Sequence, residues 1–225
     1  MIETPNTPWL VEHDLISEQE ATHWADRVLA LRRSWTPRHA DAPFFTLGMA
    51  AYLDAIQTEA ELGNRTAYHT QALRSFNNRL LEREFAPLLE ACRAYLSHWS
   101  GLSATYEPSC SALPGFHIHL PHAAFAGDVA STHNDLQFQQ VFPNARPTAA
   151  EVLTFTLPLS LPQGSGLNLW DGGRLHFYRY QVGHAYLHSG LHKHQAVLHP
   201  QRGETPRICL QGHGLISDNR LILYW

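Results

Sequence analysis

The sequence predicts an α+β chain, mainly β in its second half, with the helices of the first part packed outside a β core. Two patterns and the composition predict this. Before residue 101, apolar residues recur every three to four positions, the period of a helix. Beyond residue 102, short apolar runs separated by Gly, Pro, Asn and Asp follow one another, the pattern of a β-sandwich or barrel. The 225 residues are 44% hydrophobic and only 16% charged, which suits a globular chain with a sizeable buried core. No repeat, linker or low-complexity tract divides the sequence. Residues 1–225 are therefore expected to form one domain, with 1–101 as mostly helical support and 102–225 as the β core.

Ser17-Glu18-Gln19-Glu20 is a capping box, and Ala21, Trp24, Val28, Leu31 and Trp35 follow at helical spacing until Pro37, which should end the helix. Ala42-Pro43-Phe44-Phe45-Thr46-Leu47-Gly48 reads as an ordered loop or short strand able to reach the active site. Asn64 can cap a second helical region. There Leu81, Phe85, Leu88, Cys92, Tyr95 and Trp99 form one apolar stripe, and Gly101 is placed to stop it. Pro87 interrupts the run, so a kink or two successive helices are expected. Cys92 belongs to this packing stripe and reads as a core thiol.

The strands follow in order. Phe116, Ile118 and Leu120 alternate with His117 and His119. Val152, Phe155, Leu157 and Leu159 make an apolar run. Leu175 to Tyr180, Ala185 to Leu187, Ile208 with Leu210, and Leu221 to Trp225 continue the series.

A formal charge of −4 and a pI near 6.4 argue against a broad phosphate-binding surface, hence against nucleic acid. Cys92, Cys110 and Cys209 are sparse and unpaired in spacing, giving neither a disulfide framework nor a zinc ribbon. The opening residues lack the basic-then-apolar order of a signal peptide, and no run approaches the roughly 18 apolar residues of a membrane span. Cytoplasmic is the default expectation. Nucleophilic chemistry finds no Gly-x-Ser-x-Gly elbow, and Gly212-His213-Gly214 lacks a phosphate-loop context.

Histidine is the outlier in composition: there are sixteen, most of them beyond residue 98. In Ser131-Thr132-His133-Asn134-Asp135 the His and Asp are separated by one residue. On an extended strand both side chains point the same way, towards one point in space. A third histidine from His188, His192, His194 or His199 would complete a two-His, one-carboxylate face, the ligand set that holds Fe(II) with open positions for chemistry. Arg207 could anchor a carboxylate by a bidentate pair.

Taken in order, these segments resemble the Fe(II)- and 2-oxoglutarate-dependent oxygenases. The likeness runs from Leu113-Pro114-Gly115-Phe116-His117-Ile118 through His133-Asn134-Asp135-Leu136-Gln137 and from Leu157-Pro158-Leu159 through Gly164-Ser165-Gly166-Leu167-Asn168-Leu169-Trp170-Asp171. It continues through Tyr186-Leu187-His188-Ser189-Gly190-Leu191-His192-Lys193-His194 to Pro206-Arg207-Ile208-Cys209-Leu210, and covers roughly residues 110 to 215. It implies a double-stranded β-helix, the jellyroll or cupin-like core. Iron would be held by His133, Asp135 and His194, the last standing four residues past the Gly190 turn and thirteen before Arg207. His192 is the main alternative third ligand. Arg207 would pair with 2-oxoglutarate, O2 would be the oxidant, and Gln137 would orient the carboxylate. Where the family often carries serine two residues after the arginine, this chain has Cys209, which weakens one expected contact.

The resemblance further implies oxidation of an unactivated C–H bond. Halogenating relatives replace the metal carboxylate by Gly or Ala, so Asp135 points to hydroxylation, or to desaturation or cyclisation by the same oxidant. The expected partner is a small molecule, an amino acid or natural-product intermediate, with no nucleic acid or membrane. His117, His119 and Trp170, with Phe138 and Tyr178, are candidates for the substrate pocket. Two alternatives stand. One is a cupin-like metal dioxygenase or isomerase built on His117-x-His119 without 2-oxoglutarate. The other is a non-catalytic jellyroll module that binds a sugar or peptide.

Overall fold

The structure, a computed structural model, describes residues 10–55, 67–125, 130–198 and 205–225. Asn64, the Gly127-Asp128 pair and the ligand candidate His199 lie outside the described residues.

In chain order the elements are β1 (Leu10–Asp14), α1 (Glu18–Ala30), β2 (Thr36–Pro37), β3 (Phe44–Leu47), α2 (Ala51–Asp54), α3 (Gln71–Ser100), β4 (Ser103–Tyr106) and β5 (Gly115–His119). There follow α4 (Phe138–Val141), β6 (Val152–Ser160), β7 (Gly166–Asp171), β8 (Arg174–Arg179), β9 (His184–His188), β10 (His194–Val197), β11 (Arg207–Ser217) and β12 (Arg220–Tyr224).

The capping box forms as read: Ser17 Oγ accepts from the Glu20 N–H, and the Glu20 carboxylate accepts from the Ser17 N–H. Pro37 does not end α1. The helix stops at Ala30, a 3-10 turn follows at Arg32–Ser34, and Pro37 lies in β2. The physical reason is Trp35, whose indole N–H donates to the Val28 carbonyl that a further helical turn would have used. The expected kink in α3 is present: Phe85 leaves helical geometry at φ −133° and ψ 16°, two residues before Pro87. Gly101 closes α3 with φ 68°, a left-handed conformation that glycine adopts without a Cβ penalty.

The larger sheet runs β1-β9-β6-β11-β5-β3-β2, with β12 paired to the far end of β11 and to β4; the smaller runs β10-β7-β8. All pairings are antiparallel except β12 with β4. The expected jellyroll is thus observed as two sheets facing one another. Its larger sheet also recruits β1 and β2, which the helical reading of the first part passed over, and β3, which lies in the stretch read as an ordered loop or short strand.

The two faces of the larger sheet differ sharply in chemistry. On one face Phe116, Ile118, Phe155, Leu157, Leu187, Ile208 and Leu210 join Ala21, Ala25, Val28, Leu81, Phe85 and Leu88 of α1 and α3 in the main core. The alternate residues of the same strands, among them His117, His119, Thr154, Thr156, His188, Arg207 and His213, are buried and polar. A strand buried on both faces normally carries apolar residues on both, so a polar inner face marks a site and not a second core.

Candidate metal and co-substrate site

His133 and His194 are direct partners across an antiparallel bridge, each N–H donating to the other's carbonyl at 2.9 Å. Such a pair puts both side chains on one face, and the two rings stand 4.5 Å apart. The Nδ1 of His133 lies 2.9 Å from the Ser131 carbonyl, and that of His194 lies 2.8 Å from the His192 carbonyl. A carbonyl only accepts, so both Nδ1 atoms carry the proton and both Nε2 atoms keep a lone pair for a ligand.

Asp135, two residues on from His133, closes the group. Its Oδ1 stands 3.5 Å from His133 Nε2 and its Oδ2 3.3 Å from His194 Nε2. One ligand atom from each of the three residues falls within 4.8 Å of the others, a spacing that fits three ligands on one face of a single ion. No other such group occurs among the described residues.

The carboxylate is held from three sides. Its backbone N–H donates to the Gly190 carbonyl at 2.7 Å, Gln137 Nε2 donates to Oδ1 at 3.0 Å, and the Thr154 hydroxyl donates to Oδ2 at 2.6 Å. Burial works to raise the Asp135 pKa. His194 and His213 beside it, with the contacts from His133 and His194, outweigh burial and hold it well below the usual carboxylate range. The contact with Asp135 raises His133, burial notwithstanding. A proton shared there occupies the position a metal would take, so metal uptake at this group releases protons.

Arg207 opens β11 and is 4% exposed. Its Nε–H donates to Ser165 Oγ at 3.0 Å, and its guanidinium carbon lies 5.9 Å from the Tyr180 ring centre. Among the described residues no acid pairs with it. A buried guanidinium is costly without an anion, so an incoming carboxylate supplies what the fold leaves out. The hydroxyl on Arg207 comes from Ser165. Cys209 stands where serine was expected and is fully buried.

Both sets of residues line one cavity of about 360 Å³ between the sheets. His119, opposite Arg207 in the β5–β11 register, stacks on Phe44 at 4.4 Å, and His117 shares a 2.7 Å hydrogen bond with the Tyr52 hydroxyl. Burial, then the charge of Arg207, lowers His117 to about 3 and His119 well below its ordinary value, so both rings are neutral. Both histidines line the cavity, as expected of pocket residues. Their rings are 6.4 Å apart, and they belong to no metal-ligand group among the described residues.

His188 also lines the cavity, with its ring 4.7 Å from that of His194, but it stands outside the ligand group. His192 lies in the turn before β10 and contributes its carbonyl to His194, not its ring to the group. Trp170 is a correction: it does not line the cavity. Leu167 does, and Trp170, three residues along β7, has the opposite parity and carries the Lys193 ammonium over its ring at 5.3 Å. Phe138 and Tyr178 are likewise absent from the lining. Phe138 packs with Val152, Leu215 and Tyr224, and Tyr178 packs against Leu167, Leu169 and Tyr186.

Sequence reasoning passed over Thr154, Ser165, Tyr52 and His213. Thr154 and Thr156 did leave a signal, since they alternate with Leu153, Phe155 and Leu157 inside a run read only as apolar. Tyr52 left none, because a four-residue helix has no readable period.

No protein-family model matches the sequence, and no curated protein does. Solved structures do match. An N-substituted L-amino acid dioxygenase of Burkholderia ambifaria AMMD, in complex with alpha-ketoglutarate, superimposes with a TM-score of 0.58 at 11% identity, over 96% of this chain and 86% of that one. The same enzyme's other structure gives a TM-score of 0.52 at 11% identity, over the same shares of the two chains. This chain therefore shares the fold of that dioxygenase.

Proposed function

We propose that this chain is an Fe(II)- and 2-oxoglutarate-dependent dioxygenase that hydroxylates, or otherwise oxidises, an unactivated C–H bond of a small molecule. One observation carries the reading. A convergent His-Asp-His group and a buried arginine without an acid partner among the described residues face the same cavity. A structural arginine has no need of a metal group, and a structural metal site usually closes its fourth position with protein.

His133, Asp135 and His194 would hold the iron, and Arg207 the distal carboxylate of 2-oxoglutarate. Iron with 2-oxoglutarate and O2 supplies the oxidant, the co-substrate leaving as succinate and CO2. The chain's own residues do the rest. The two Nδ1–carbonyl bonds fix the imidazoles in the ligating tautomer. Ser165 occupies Arg207 Nε, leaving the terminal nitrogens for a bidentate carboxylate. His117 and His119 are kept neutral by burial beside Arg207, so they offer hydrogen bonds there without adding charge. Asp135, His194 and Arg207 are buried, and His133, 44% exposed, is the side of the group open to solvent.

Asp135 fills the position that a halide would need, which favours oxygen insertion. An amino acid or a natural-product intermediate is the substrate class we infer. The N-substituted amino acid named for the Burkholderia enzyme agrees with this class. The test is succinate release from 2-oxoglutarate with Fe(II) and O2 across an amino-acid and metabolite panel. Asp135→Gly should abolish turnover, and Arg207→Gln should abolish it at ordinary 2-oxoglutarate concentration. Turnover that survives in Arg207→Gln with unchanged 2-oxoglutarate dependence would refute the co-substrate assignment.

A further inference from the structure

Behind the ligand group, three strands of the larger sheet bring one row of polar residues together: His188 on β9, Thr154 on β6 and His213 on β11 are neighbours in register. Thr154 is 1% exposed. Its hydroxyl lies 2.6 Å from Asp135 Oδ2 and 3.1 Å from His213 Nδ1. A hydroxyl has one proton to give. A carboxylate can only accept, so the proton goes to Asp135, and His213 must donate its Nδ1–H to the same oxygen. The order His213 → Thr154 → Asp135 is thereby fixed, and His213 Nε2 is left buried without a partner among the described residues.

On the other side of the carboxylate, Gln137 Nε2 donates to Oδ1 at 3.0 Å. Donors on opposite oxygens stop rotation of the carboxylate about its Cβ–Cγ bond. Both contacts are charge-assisted, and the Thr154 one is the shorter.

We propose that Thr154, with its hydroxyl directed by His213, is a positioning residue that sets the orientation of the Asp135 carboxylate towards the metal. The proposal rests on the metal site inferred above. Thr154 is buried and is not among the residues that line the cavity. It acts through Asp135, and hydrogen-bond partners of metal ligands typically change affinity by about 10- to 100-fold.

The probe is Co(II) bound to the chelator-treated full chain, followed by affinity and by its visible absorption, which reports ligand geometry. Wild type should bind one Co(II), and Asp135→Ala should not. Thr154→Val keeps the shape and removes the hydroxyl. It should weaken Co(II) binding by about 10- to 100-fold and alter the absorption spectrum, while Thr154→Ser restores both. A purely structural role would lower the unfolding midpoint of Thr154→Val and leave affinity and spectrum at wild-type values, and that result overturns the proposal. If Thr154→Val does not fold, His213 provides the second measurement. His213→Asn retains a donor and should bind Co(II) as wild type, His213→Leu should bind several-fold more weakly, and equal affinities overturn the proposal. Wild type that takes up no Co(II) overturns the metal reading itself; wild type that binds while Thr154→Val is unchanged overturns only the role of Thr154.

Discussion

Gly190 occupies a position that no side chain can share. A Cβ there would stand 2.6 Å from Thr154 Oγ1 and 2.8 Å from Asp135 Cβ, and the glycine's carbonyl also accepts the Asp135 N–H. The turn between β9 and β10 therefore lies flat against the metal carboxylate, and its glycine is required by close approach, since its φ is not in the left-handed range. Gly190→Ala should push Asp135 off its place, costing about 1–3 kcal/mol as an overpacked site does. It should also weaken metal uptake. Thermal unfolding and a Co(II) titration of the variant check both, and a variant that binds metal like wild type would contradict the contact. In the sequence this glycine was legible only as a turn preceding His194. His133 and Asp135 could be read as candidates because residues two apart on extended chain point the same way, although only an isolated bridge at His133 forms there. Thr154 could not, because its partner is Asp135, nineteen residues away, and only the fold brings the two together.

At the level of elements, the kink in α3 does structural work for the sheet beneath it. Where the helix breaks at Phe85, that side chain is fully buried, 4.5 Å from the Phe116 ring and 6.0 Å from Trp24. Phe116 lies on the outer face of β5, whose inner face carries His117 and His119. Phe85→Ala should cost about 3–5 kcal/mol through lost burial and the cavity left behind. The His133, Asp135 and His194 group across the cavity should keep its metal affinity at temperatures where the variant is folded. A large drop in unfolding midpoint with unchanged Co(II) binding is the expected pair of results; a small drop would mean the kink region repacks. Pro87 and the stripe through Phe85 made this element readable, because a missing N–H and a helical period are local properties. Strands β1 and β2 were not readable. They are five and two residues long, lie at the sheet's edges and owe their existence to partners far along the chain.

Taken whole, the molecule has placed its titratable groups on the inner face of the larger sheet, and that placement fixes how its stability responds to acid. His117 and His188 are lowered to about 3, His119 lies well below its ordinary value, and His213 is lowered too; in each case burial is the largest cause. In the unfolded chain each returns to about 6.5. Below that pH the unfolded state takes up protons that the native state refuses, so stability falls as pH falls, from about 6.5 down towards the native values. At pH 5.5 a histidine held at about 3, as His117 and His188 are, costs about 1 kcal/mol relative to neutral pH. His133 works in the opposite sense, since its pKa is raised and its contribution is present at low pH and lost as pH rises. Five depressed histidines, His192 among them, against one raised leave the fold less stable at pH 5.5 than at neutral pH. Asp135 extends the loss at still lower pH, because its depressed carboxyl stabilises the fold only while ionised. Urea unfolding of the chelator-treated protein at pH 7.5, 6.5 and 5.5 should show little change over the first step and a clear fall in midpoint over the second. With metal bound the fall should be steeper, because protons compete for His133 and His194. A midpoint that stays level from pH 7.5 to 5.5 would mean that these histidines are hydrated in the native state, and the buried inner face that surrounds Arg207 would go with it.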